Sequence, residues 1–127
     1  MGCAQSNNAA EKALAAREEQ VLSPPSKVTD ATEWTQTMVQ LVRPNIEVHL
    51  GSKEPDLKAT QMITRIFTNS DDLQKPGKIH YIKAKTTNPD WPWIFVKVYE
   101  PPEITSVSPV KFREMKKMKE EYKLVVF

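Results

Sequence analysis

The chain has 127 residues and 39% hydrophobic content, which is one domain's worth of sequence with a slight apolar deficit that points to an unpacked segment. Eighteen basic residues against 16 acidic ones give a formal charge of +2, too balanced for nucleic-acid binding, which needs a concentrated basic face. A single cysteine, Cys3, excludes an intramolecular disulfide and fits a reducing compartment, and no apolar run approaches the ~20 residues of a membrane span or forms a secretory signal.

Any membrane contact is therefore expected through a group added covalently. The chain begins Met1-Gly2-Cys3-Ala4-Gln5-Ser6, with Gly after the Met and Ser sixth, the N-myristoylation pattern. One myristoyl chain holds a membrane only marginally, with a binding constant of about 10⁴ M⁻¹, so a second signal is needed. Residues 1–22 carry Lys12 and Arg17 against Glu11, Glu18 and Glu19, so the tail is net acidic and supplies no basic patch. Palmitoylation of Cys3 is the expected second anchor, which makes Gly2 and Cys3 the lipidation residues. The plain alternative is an unmodified tail with an inert thiol.

Residues 8–21 read as a weak helix. Asn8 can cap it, Glu11 stands at capping-box spacing, and the alanines favour helix. Its apolar face is mostly alanine and buries little, so a spacer is favoured over a helix lying on the bilayer. Ser23-Pro24-Pro25-Ser26 ends this tail, which divides the chain into a tail over 1–22 and a domain over 23–127.

In the domain, Thr32 is a cap for a helix through about residue 43, with Trp34, Met38, Leu41 and Val42 on one side, and Pro44 is expected to kink or end it. After the Gly51-Ser52 break, residues 57–68 suit a strand through Thr60, Ile63, Thr64, Ile66 and Thr68. Asn69-Ser70-Asp71-Asp72 is a loop, prolonged by Pro76-Gly77; residues 78–86 read as a second strand and Asn88-Pro89-Asp90 as a turn. Residues 93–99 form the clearest strand: Ile94, Val96 and Val98 face one way, and Trp93, Phe95, Lys97 and Tyr99 the other. Pro101-Pro102 stops it, a segment rich in Lys and Glu follows, and Leu124-Val125-Val126-Phe127 reads as a short closing strand. The order predicts an α+β class, one α-helix packed across an antiparallel β-sheet.

Neither His49 nor His80 has a partner at metal-ligand spacing, Cys3 has no neighbouring base, and no Gly-rich phosphate loop occurs, so no catalytic residue, metal or cofactor is expected. In Trp91-Pro92-Trp93, Trp93 is expected to pack on the sheet, and Trp91 either packs or anchors a partner. Residues 111–123 hold six basic and three acidic side chains, a solvated face that at a membrane could also meet anionic lipid.

The element order and the residues resemble the stefin (type 1) branch of the cystatin superfamily. Thr35-Gln36-Thr37-Met38-Val39-Gln40-Leu41-Val42-Arg43-Pro44 resembles the stefin helix. Pro55, Lys58 and Ala59 fall where stefins carry the same residues. Tyr81-Ile82-Lys83 resembles the strand after the first inhibitory loop, and Trp93-Ile94-Phe95-Val96-Lys97-Val98-Tyr99-Glu100 the strand before the second. The resemblance spans roughly residues 22–127 and implies a cystatin-like fold.

It also implies inhibition of papain-like cysteine proteases by a wedge. The wedge has an N-terminal trunk with Gly, a first hairpin loop Gln-x-Val-x-Gly and a second loop with Leu-Pro. Here the trunk position falls on Leu22-Ser23, and Pro101-Pro102 replaces Leu-Pro. A gapless reading puts Arg65-Ile66-Phe67-Thr68-Asn69 at the first tip. A rival reading slides the tip to Leu73-Gln74-Lys75-Pro76-Gly77. The implied protease-binding residues are Leu22, Ser23, Arg65, Ile66, Phe67, Thr68, Asn69, Pro101 and Pro102. The expected protein is a monomeric non-enzyme, an inhibitor of papain-class proteases tethered to the cytoplasmic face of a membrane by acyl chains. The alternative is a lipid-anchored module of the same fold that binds another protein.

Overall fold

The structure is a computed structural model that describes residues 22–67 and 77–127. The acylation residues Gly2 and Cys3, the helix expected over 8–21, and Thr68, Asn69 and Leu73–Pro76 lie outside the described residues.

Helix α1 covers Glu33–Leu41 and starts where its cap predicts. Thr32 and Thr35 satisfy each other's free backbone groups: Thr35 N–H donates to Thr32 Oγ1 at 3.2 Å and Thr32 N–H to Thr35 Oγ1 at 2.9 Å. The helix does not run on to residue 43. It stops at Leu41, Val42 breaks it, and α2 resumes over Arg43–Leu50 with Pro44 in its first turn, where a missing N–H costs nothing. Gly51 ends α2 in the left-handed conformation at φ 72°, its N–H donating to Glu47 O. The buried stripe is Met38, Val39, Val42, Ile46 and Leu50. Trp34 and Leu41, expected on that side, are 37% and 56% exposed, because the stripe centres between Met38 and Val39 rather than on Met38.

The sheet has five antiparallel strands in the order β1-β2-β3-β4-β5: Thr29–Asp30, Lys58–Ile66, Lys78–Lys85, Trp93–Glu100 and Lys111–Met118. The architecture is therefore α+β, two short helices packed on one face of an antiparallel sheet. Period-2 alternation gives the sheet two apolar faces. Ala59, Ile82, Ala84, Ile94, Val96 and Val98 pack against the helices. Ile63, Ile79, Tyr81 and Phe95 form a second cluster on the other face. Bulges between Ala59 and Gln61, and opposite Lys97/Val98, reset the alternation, so that Ala59 with Met62 and Phe112 with Met115 share the helix face although each pair is three residues apart.

One segment had no expected structure, and one expectation needs correction. The Lys/Glu-rich segment is β5, an edge strand beside β4. Residues 124–127 form no strand. Leu124 is buried in the second cluster, and Phe127 packs on Tyr81 and Phe95 at ring-centroid distances of 5.5 and 6.4 Å, so the segment covers the face opposite the helices.

At the end where α2 closes, Glu54 ties helix to sheet. Its fully buried carboxylate accepts from Thr87 N–H at 2.8 Å and Thr87 Oγ1 at 2.7 Å. The adjoining β3–β4 turn is held by Asn88 Oδ1, which accepts from Asp90 and Trp91 N–H, the turn expected there.

Candidate functional site

The strand directions bring three connections to one end of the sheet, opposite the β3–β4 turn: the chain entering β1, the β2–β3 hairpin and the β4–β5 loop. The entering chain lies along β2. Leu22 bridges to Phe67, and Ser23 N–H donates to Ile66 O at 2.7 Å. Serine hydroxyls stand in for backbone carbonyls as acceptors along this edge: Ser23 Oγ accepts from Ile66 N–H and Ser26 Oγ from Thr64 N–H, at 2.8 and 2.9 Å. Arg65, buried, adds a bond from its Nε to Ser23 O at 2.8 Å. Ser23 is thus a fixed edge residue, and Leu22 belongs to the second apolar cluster.

The first hairpin continues further than the gapless reading places it. Arg65 and Ile66 are strand residues of β2, and Phe67 N–H donates to Gly77 O at 3.1 Å, so none of the three stands at the tip. Pairing runs out to Phe67 and Gly77, and residues 68–76 lie outside the described residues. The reason is chemical: β-branched and aromatic residues at 63–67 find partners in β3, Ile79 facing Arg65 and Lys78 facing Ile66. Gly77 lies close under the Tyr99 ring: a Cβ there would meet the ring tip at 2.8 Å, so a larger residue would oblige Tyr99 to shift. Tyr99 also meets Phe67 edge-on at 5.9 Å, which joins the first hairpin to the base of the second.

In the second loop Pro101 is buried and Pro102 exposed. The outward apolar residues lie further on and were not singled out from the sequence. Ile104 is 44% and Val107 89% exposed, on a turn closed by Thr105 N–H to Ser108 O and Ser108 N–H to Thr105 Oγ1, both 3.0 Å. The available signal was two apolar residues in a Pro/Ser/Thr-rich stretch, legible once β5 is recognised as a strand.

Beneath these loops runs a polar chain, Trp34–Glu100–His80–Thr64, of which His80 is buried, Glu100 and Thr64 are half-buried and Trp34 reaches the surface. The carboxylate can only accept, so His80 Nε2 donates to Glu100 Oε1 at 2.8 Å, and Nδ1 is left to accept from the Thr64 hydroxyl at 2.8 Å. Trp34 Nε1 donates to the same Glu100 oxygen at 3.0 Å. His80 is 3% exposed with both nitrogens engaged inside the protein, which suits a clamp between α1 and the sheet rather than a proton shuttle.

Burial lowers the His80 pKa from 6.5, against the opposing pull of Glu100. Burial alone would raise Glu100, but hydrogen bonds from Trp34 and His80 outweigh it and hold it below 4.5. In both cases the unfolded chain binds the proton more readily. The stability is complete above 6.5, falls first as pH drops below 6.5 while the unfolded His80 protonates, and falls again below 4.5. Urea midpoints measured across this range should show both stages, and His80→Leu should remove the upper one; a midpoint that rises on acidification through 6.5 would contradict the assignment.

Among the described residues no group of three His, Cys, Asp or Glu is placed to hold a metal ion, and no helix is long and apolar enough to cross a membrane. An open pocket of about 420 Å³ lies elsewhere, at Pro44, Glu47, Val48, Gly51, Ser52 and Lys53; Glu47 in it already accepts from Glu54 N–H at 2.8 Å. Trp91 packs partly against the helix-side core, and Trp93 lies under Lys83 and Lys85. No protein-family model matches the chain, and no curated protein matches it.

Proposed function

We propose that the chain is a cystatin-like inhibitor of papain-class cysteine proteases, held at the cytoplasmic face of a membrane by acyl groups on Gly2 and Cys3. The observation that carries the reading is the convergence of three segments at one end of the sheet. Leu22 is bridged to Phe67, Phe67 is in contact with Tyr99, and Pro101 follows one strand residue beyond. The stefin resemblance assigns a wedge to the same three segments. Inhibition by such an end is occlusion: apolar tips bury in the cleft while no peptide bond is offered to the nucleophile.

The altered tips bear on strength. Nine residues, 68–76, separate Phe67 from Gly77 and include Asp71, Asp72 and Lys75, which a narrow apolar cleft accepts poorly. The second loop then supplies much of the apolar contact, through Ile104 and Val107. Replacing both with Ser is expected to weaken inhibition of a papain-like protease on the order of 30- to 1,000-fold, since each lost anchor is a contact of about 1–2 kcal/mol. Thermal stability should hardly change, because both side chains are exposed. An unchanged inhibition constant would remove this loop from the interface.

A second reading has its own support. Ser23, where stefins carry the trunk Gly, is bonded into the edge of β2, so the entering chain is less free to follow a protease cleft. A module of the same fold that binds another protein through its loops would tolerate this. The loop-variant experiment, repeated as binding to a captured partner, separates the two.

A further inference from the structure

The end of the sheet opposite the proposed wedge carries a basic surface that protease binding does not use. Register places it: Trp93 of β4 faces Met118 of β5, and Lys58 of β2 faces Lys85 of β3, so these residues flank the β3–β4 turn. Lys58, Lys85, Lys116, Lys117 and Lys119 are exposed there. Aromatic rings order several of the ammonium groups: Lys117 and Lys119 stand 5.2 and 5.7 Å from the Trp91 ring, and Lys116 stands 5.0 Å from Phe127. Exposed Asp56, Asp90 and Glu120 offset part of the charge, while Glu121 is committed to Lys83 at 2.6 Å.

We propose that this end docks on the anionic headgroups of a lipid bilayer and turns the loop end away from the membrane. The proposal rests on the tethering reading and completes it. The tail before Leu22 is net acidic, so a basic contribution beside the acyl groups on Gly2 and Cys3 has to come from the folded domain. A tryptophan flanked by lysines suits the headgroup layer, where one side of a ring is apolar and the other wet.

The tail length permits the arrangement. Leu22 lies at the loop end, so an anchored tail must pass back along an eight-residue strand length, about 26 Å at ~3.3 Å per residue. The 21 residues before Leu22 can extend to about 70 Å. Docking by the basic end leaves the protease-facing loops on the open side, where a soluble protease can reach them.

The test uses the full chain without acyl groups, sedimented with vesicles of phosphatidylcholine alone or of phosphatidylcholine with phosphatidylserine. Sedimentation is expected only with the serine lipid and should fall as salt is raised. Lys116→Gln/Lys117→Gln/Lys119→Gln should weaken partition about fivefold per charge, on the order of 100-fold in all. Lys27→Gln/Lys111→Gln, whose positions lie toward the other end, should leave it unchanged.

The proposal is overturned if the unmodified sequence shows no preference for the serine lipid, a comparison that needs no variant. It is equally overturned if the triple variant, folded by circular dichroism, partitions as the parent does. Failure of the tethering reading is a separate observation: Gly2→Ala leaving membrane association in cells unchanged.

Discussion

Met38→Asp is expected to unfold the domain or bring it close to unfolding, while Leu41→Asp, three residues further along the same helix, should cost under about 1 kcal/mol. Met38 is fully buried between α1 and the sheet, among Val39, Val42, Ile46, Ala84 and Val96. Removing its side chain alone costs about 2–5 kcal/mol through lost transfer energy and the cavity left behind. A carboxylate there also lacks a counter-charge and adds several kcal/mol more. A domain of this size is stable by only about 5–15 kcal/mol, so the sum takes most or all of it. Leu41 is 56% exposed at the end of α1, where an added acid meets only the unfavourable helix dipole. Urea denaturation followed by tryptophan emission checks both. Equal losses for the two variants would mean that the buried stripe is misplaced.

Truncation after Lys123 is expected to cost about 3–5 kcal/mol, although it removes four residues that belong to no strand. Leu124 is 1% exposed, and burying such a side chain is worth about 1.5–3 kcal/mol. Phe127 adds ring contact with Tyr81 and Phe95, and its carbonyl accepts from Lys97 Nζ at 3.3 Å. The truncated chain should bind an apolar dye, because Ile63, Ile79, Tyr81 and Phe95 lose part of their cover. An unchanged urea midpoint without dye binding would mean that the C-terminal residues do not cover this face.

The elements that were legible in the sequence share a property: their local chemistry and their tertiary burial agree. β4 alternates Ile94, Val96 and Val98 with Trp93, Phe95 and Tyr99, and both sets are used because the sheet packs on both faces. Thr32 and Thr35 announce the start of α1 by hydroxyls three residues apart. β5 was hidden because an edge strand needs no continuous apolar face: Lys111, Arg113, Glu114, Lys116 and Lys117 point to solvent. The bulge opposite Lys97/Val98 also puts Phe112 and Met115 on one face at a spacing that alternation reads as opposite.

Leu124-Val125-Val126-Phe127 misleads in the other direction. Its apolar composition reflects the face it covers, not a ladder it joins. At the loop end, the resemblance points to the same three segments that the strand order brings together, and no comparison bears on the role it implies for them. How far the first hairpin pairs was not legible, because pairing is settled by the partner strand, and Phe67 remains paired. Ile104 and Val107 stand out only once β4 and β5 bracket them. The acylation pattern at Gly2 and Cys3 is carried by the sequence alone.

The central claim is that the loop end occludes the cleft of a papain-class protease. The direct measurement is titration of active papain, and of a cathepsin, with the full chain, read by hydrolysis of a small peptide substrate and by the intactness of the chain afterwards. The account predicts reversible inhibition, competitive with substrate and weaker than that of an intact stefin wedge, with the chain uncleaved. A folded chain that leaves both proteases fully active at the highest soluble concentration, or that is cut between Phe67 and Gly77 as an ordinary substrate, contradicts it.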